Sequence, residues 1–209
     1  KKSITPNDAG CLQYIEDFLT ERGFVNETLT FGRVKNLWSV KKNKGPLLVF
    51  LGHVDVVPTG PENEWEHDPF SGFDDGTFIN GRGTGDMKGG IACFMSALSR
   101  IDVDNLNYSI GFLITADEEG PSKDGTVKVV EELLQRNEKI DYCLIGEPST
   151  LETVGDNIRI GRRGSINIEL EVLGKQGHAA YPARVDNPIH KVVPFLDKLL
   201  KEVWDEGNE

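Results

Sequence analysis

"PLLVFLGHVDVVP", residues 46–58, decides how this chain folds. Its first half is an unbroken apolar run bounded by Pro46 and Gly52. It is too short for a helix and reads as a strand buried on both faces. Its second half puts His53 and Asp55 where that strand leaves the core. A buried charge needs a partner, so matching groups are expected wherever neighbouring strands end.

The pattern repeats outward from this point. "YSIGFLITADEE" is a second buried strand that ends in Glu118 and Glu119, and "DYCLIGE" is a third that ends in Glu147. Between the first two lies "TFINGRGTGDMKGG", a Gly-rich turn with Asp86 just ahead of a helix, "IACFMSALSRI". A further helix runs from about Gly125 to Arg136. Apolar strands alternating with helices predict an α/β fold, a mostly parallel sheet covered by helices on both faces. Upstream, Ser3 or Thr5 is expected to cap a helix with Pro6 in its first turn. Cys11, Leu12, Ile15, Phe18 and Leu19 form its apolar stripe and Gly23 ends it. Short strands follow near "LTF" and "NLWSV".

After Arg163 the texture changes. "SINIELEVLG" alternates, with Ile166, Ile168, Leu170 and Val172 on one side, which predicts a strand with one wet face. A helix from about Pro188 to Trp204 follows. The division expected is a catalytic, metal-binding domain over 1–164 and the start of a smaller α+β domain over 165–209.

In an open α/β sheet the C-terminal strand ends share one edge, where sites form. His53, Asp55, Asp86, Glu118, Glu119 and Glu147 are therefore expected to converge. Such a group of acids, with one imidazole and no nearby Lys, calls for divalent cations. Mixed N and O donors suit Zn²⁺ better than Ca²⁺. Two ions roughly 3.5–4 Å apart would use this many ligands, with Asp86 as the bridge. Asp55 is placed to accept the second imidazole N–H. Of the adjacent Glu118 and Glu119, one can hold metal while the other acts as general base. A phosphate-binding reading of the Gly-rich turn fails, because the Walker spacing is absent and an acid stands where phosphate would sit.

The 209 residues carry a formal net charge of −11. A uniform acidic excess argues against nucleic acid as a partner, and no run of about 18 apolar residues suggests a membrane span. Cys11, Cys93 and Cys143 read as buried, reduced thiols of a cytoplasmic protein.

In chain order, "GHVDVVP", "GRGTGDMKGG", "TADEEG" and "GEPS" resemble the motifs of the two-zinc amidohydrolase family, which includes aminoacylase, acetylornithine deacetylase and glutamate carboxypeptidase. "GTVKVVEELLQRNEKIDYCLIGEPS", "GRRGS" and "QGHAAYPARVDNPIH" narrow the resemblance to the desuccinylase branch, and it covers nearly the whole chain. The resemblance implies a zinc-exopeptidase-like catalytic domain with an inserted lid through which subunits form homodimers. It assigns His53 and Glu147 to one metal, Glu119 to the other, Asp86 to the bridge and Glu118 to the base. It also implies a cis peptide after Asp86. His178 matches a lid histidine that reaches a partner subunit's site and stabilises the oxyanion. Arg162 and Arg163 match an arginine that grips the succinyl carboxylate, Arg162 being the first choice. The activity implied is hydrolysis of an N-acyl amide, N-succinyl-L,L-diaminopimelate, with Zn²⁺ bound and Co²⁺ as a substitute. The alternatives are a related deacetylase and an inactive metal-binding fragment.

One departure stands out. The family takes a second histidine ligand from a much later part of the chain, and the remaining histidines here are His67, His178 and His190. The chain also opens on "KKSITP" without Met and stops at Glu209. The expectation is a piece of a longer protein, lacking one metal ligand.

Overall fold

The computed structural model describes residues 1–161, 164 and 166–204. Their backbone falls into two compact units, Lys1–Ile158 and Arg159–Glu209.

The first unit is built on a five-stranded sheet of β1 (Val25–Phe31), β2 (Val34–Lys41), β3 (Leu47–His53), β6 (Ser109–Thr115) and β7 (Tyr142–Ile145), in the order β1-β2-β6-β3-β7. β3 pairs in parallel with β6 on one side and β7 on the other, while β2 is antiparallel to both β1 and β6. Four strands therefore run one way and β2 alone opposes them. β4 (Phe73–Asp74) and β5 (Ile79–Asn80) form a separate short hairpin.

The helices α1 (Cys11–Thr20), α2 (Gly89–Leu98) and α3 (Thr126–Gln135) cover this sheet from both faces. Strand alternation sorts the core. Ile110, Phe112 and Ile114 of β6 join α1 and α2 residues in one cluster, and Leu113 joins Val129 and Leu133 of α3 in the other. Every residue of β6 is buried, as an unbroken apolar run in a central strand requires. Phe50 stacks on Phe94 at 4.3 Å, and Phe112 meets both at 5.7 and 5.1 Å. Phe50 and Phe112, both fully buried, contribute about 1.5–3 kcal/mol each, and Phe94 is partly buried against them.

The N-terminal helix begins later than Thr5 and Pro6 suggest. Ser3 Oγ donates to the Val54 carbonyl at 2.6 Å, and Thr5 N–H donates to the Val56 carbonyl at 3.1 Å. Residues 3–5 are thus a strap along the extension of β3. The Ser3 carbonyl and the Thr5 N–H are already paired with Val56, and a residue before proline disfavours helix. The helix starts at Cys11 after Gly10 in the left-handed region, where Asp8 accepts the Gly10 N–H.

In the second unit α4 (Pro188–Lys201) forms, capped by the Asn187 side chain on the Ile189 N–H. The alternating stretch does not become a strand: Ile166, Ile168 and Leu170 are exposed, and no sheet partner is present among the described residues. Alternation marks a face to be covered, but a strand exists only with a neighbour to complete its backbone bonds. Of the three cysteines only Cys11 is buried; Cys93 and Cys143 are exposed. An apolar run does not oblige each of its members to face inward, and β7 lies at the edge of the sheet. No helix among the described residues is long and apolar enough to cross a membrane.

Candidate metal centre

The parallel register sets the site. His53 ends β3 opposite Thr115 of β6, and Leu51 stands opposite Ile145 of β7. The residues just beyond these ends emerge together along one edge. Asp86 arrives from the Gly-rich turn that leads into α2. Gly90 allows this approach, because a Cβ there would lie 2.3 Å from the Gly146 carbonyl oxygen at the end of β7. The Asp86–Met87 peptide is cis, as the resemblance implies.

Two sets of donors result. His53, Glu118 and Glu147 form one, and His53, Asp86 and Glu119 the other, with ligand atoms within 4.8 Å of one another in each. His53 is 1% exposed. Its Nδ1 lies 2.9 Å from the Asp55 carbonyl oxygen. A carbonyl only accepts, so Nδ1 carries the proton in the neutral ring and Nε2 keeps its lone pair. Nε2 faces Asp86 Oδ1 at 3.0 Å, Glu147 Oε1 at 3.2 Å and Glu118 Oε2 at 3.8 Å. A lone pair facing carboxylate oxygens at such distances is repulsive unless a proton or a cation sits among them.

The titration behaviour follows from this crowding. Burial pushes the Glu147 carboxyl up, Asp86 and Glu118 add to the effect, and His53 opposes it. Burial likewise pushes Glu119 up, helped by the charge of Asp86. For His53, burial favours the neutral ring. The hydrogen bond to the Asp55 carbonyl and the charges of Asp55, Glu147 and Glu118 outweigh it, so its pKa is raised. The donors fit a divalent cation: one imidazole nitrogen at the end of β3 and several carboxylates from the loops that follow β6 and β7 and from the turn before α2.

Two expectations change. Asp55 does orient His53, but through its backbone carbonyl; its Oδ1 lies 3.6 Å from Nδ1. The buried carboxylate instead accepts the N–H of Glu118 at Oδ2 (3.1 Å) and of Glu119 at Oδ2 (3.1 Å). Two residues along an extended strand bring the carbonyl, not the side chain, beneath the ring. The second change concerns lysine. Lys88 lies half-buried and donates to Ser3 Oγ at 3.0 Å and to the Lys1 carbonyl at 3.2 Å. Burial depresses its pKa, while the charge of Asp55 opposes that. Its place in "GDMKGG", two residues after Asp86, was the available signal.

His178 belongs to the second unit, where its Nδ1 accepts the Ala180 N–H at 3.1 Å and its ring lies 5.7 Å from Tyr181. Arg162 and Arg163 lie outside the described residues.

Residues 49–209 match the family model described as Peptidase family M20/M25/M40. Among curated proteins the chain is 53% identical to a succinyl-diaminopimelate desuccinylase of Marinobacter nauticus, with 100% of this chain and 56% of that protein covered. It is 52% identical to proteins of the same name from Hydrogenovibrio crunogenus (56% of that protein) and Hahella chejuensis (55%), each across 100% of this chain. The chain thus spans about half the length of these relatives. Its fold resembles an M20 family metallo-carboxypeptidase of Sulfolobus solfataricus (TM-score 0.63, 22% identity, 71% of this chain and 35% of that one). It also resembles human carnosine dipeptidase 1 (TM-score 0.60, 22% identity, 66% and 32%).

Proposed function

We propose, from the premise that this chain belongs to peptidase family M20/M25/M40, that it is part of a metal-dependent hydrolase that cleaves the amide of N-succinyl-L,L-diaminopimelate to succinate and L,L-diaminopimelate. The convergence of His53, Asp86, Glu118, Glu119 and Glu147 on one sheet edge carries the hydrolase reading. Identity of 53% to a named desuccinylase supports the substrate.

In this reading the metal is Zn²⁺, with Co²⁺ as a substitute. His53 and Glu147 would hold one ion and Glu119 the other, and Asp86 is the acid available to both. A cation held there supplies Lewis acidity toward the amide carbonyl and eases deprotonation of a water. Glu118 takes that water's proton at its carboxylate and returns it to the leaving amine. Asp55 keeps Glu118 in place through the backbone and keeps Nε2 of His53 free to ligate. His178 of a partner subunit donates to the tetrahedral oxyanion. Arg162, with Arg163 beside it, holds the succinyl carboxylate; a planar guanidinium offers two parallel N–H donors. Residues 165–209 begin the lid through which a homodimer forms, and the enzyme works in the bacterial cytoplasm.

The test is an assay of a chain extended to the length of its relatives. Hydrolysis should be far faster for N-succinyl-L,L-diaminopimelate than for N-acetylornithine. Glu118→Gln should keep its metal and lose about 10²–10⁴ in kcat, because the amide cannot accept the proton. Preference for the acetylated substrate would replace this reading with that of a deacetylase. Near-full kcat in Glu118→Gln would remove the base from this residue.

A further inference from the structure

Glu118 and Glu119 follow the end of β6, outside any regular element, yet two adjacent acids with different tasks need a fixed backbone. Asp55 holds that backbone from one side. Asp117, which has no part in the function proposed above, holds it from the other. It is 3% exposed. Its N–H donates to Thr115 Oγ1 at 3.1 Å, and its Oδ2 accepts the N–H groups of Lys123 and Asp124, both at 2.9 Å. The loop that follows the two acids therefore doubles back onto the residue that precedes them. Ser122 Oγ, donating to the Glu118 carbonyl at 2.7 Å, closes the same ring. The Asp124 carbonyl in turn accepts from Asn36 Nδ2, on a fully buried residue of β2, at 3.0 Å. A Cβ on Gly120 would lie 2.7 Å from Thr5 Oγ1 and 3.0 Å from Asp117 Oδ1, so the ring has no slack where it turns.

A loop that needed only to close would not require a buried carboxylate, which is costly to desolvate. Charge-assisted bonds to two backbone N–H groups are shorter and stiffer than neutral ones. We propose that Asp117 is a positioning residue, whose carboxylate staples the 117–124 loop so that Glu119 is held at the metal edge beside His53 and Asp86. The proposal rests on the metal-hydrolase reading and adds to it a residue that acts through Glu119.

The experiment is calorimetric titration of the metal-stripped chain with Zn²⁺, for the unsubstituted protein, Asp117→Asn, Glu119→Gln and the double variant. The affinity that Glu119→Gln weakens is the one to read. Asp117→Asn should weaken it about ten- to a hundredfold, as removal of an outer support of a metal ligand does. In the Glu119→Gln background the same change should cost less than about threefold, because the two substitutions act on one group. Equal losses in both backgrounds would make Asp117 a general stabiliser, and no loss in either would remove it from the site. Both results overturn the proposal while leaving the hydrolase reading intact. An unsubstituted chain that takes up no Zn²⁺ overturns both. A further measurement avoids substitution altogether. The Lys123 and Asp124 amides should exchange hydrogen at least about a hundredfold more slowly than open-loop amides, and exchange at the open-loop rate sinks the staple.

Discussion

At the sheet edge, His53 and Asp55 are 1% and 0% exposed although both can carry charge. Along α4, Ile189, Val193, Leu196 and Leu200 recur at helical spacing, yet they are 64%, 53%, 39% and 84% exposed. Polar groups lie buried in the first region and apolar ones lie open in the second. The reason is the direction of the forces. The Asp55 carboxylate is held by N–H groups at fixed distances, and His53 by a carbonyl. These bonds specify partners within the chain. An apolar stripe specifies only that something should cover it.

This contrast sets the expected outcomes. Phe112, 0% exposed and in contact with three other rings, belongs to the self-sufficient part. Phe112→Ala should lower the stability of the first unit by about 3–5 kcal/mol, read as a large drop in denaturation midpoint. A loss under about 1 kcal/mol would show that the sheet core is looser than its packing.

Acidity comes next. In the metal-free chain the raised pKa values of His53, Glu119 and Glu147 mean that the folded state favours their protonated forms. Their contribution is present below the unfolded values of 4.5 for Glu and 6.5 for His, and it is lost as pH rises through the folded values. Metal requires the deprotonated donors and runs the other way. The stabilisation by Zn²⁺ should therefore grow as pH rises above the unfolded values of 4.5 for Glu and 6.5 for His toward the raised folded ones, by up to about 1.4 kcal/mol per pH unit for each proton released. Scanning calorimetry with Zn²⁺ and with chelator measures it. A gap that narrows with rising pH would contradict the assigned donors.

The smallest effect belongs to α4. Leu200→Ser, on a residue 84% exposed, should change the stability of this chain by less than about 0.5 kcal/mol. A larger loss would mean that the stripe is already covered in solution, and sedimentation would show by what.

Much of the sheet was legible because "LLVFL", "GFLIT" and "YCLI" are short apolar runs with helices between them. The site acids were legible because they directly follow such runs or stand alone in a Gly-rich turn. The start of α1 was not. Ser3 and Thr5 look like helix caps locally, and only the nearby edge at Val54–Val56 turns them into a strap. The strand expected over "SINIELEVLG" failed because its pattern is local and its pairing is not.

Residue order alone settled which side chains would meet at the metal edge. Apolar runs force strands into one sheet, and parallel strands place their C-terminal ends together, so His53, Glu118, Glu119 and Glu147 had few other places to go. Tertiary structure alone decided how they are held. Whether Asp55 serves His53 through its carbonyl or its carboxylate, and whether Asp117 reaches Lys123 and Asp124, depends on ångström distances between atoms up to 64 residues apart in the chain. Hydrogen bonds discriminate at that scale, and hydrophobic patterning does not.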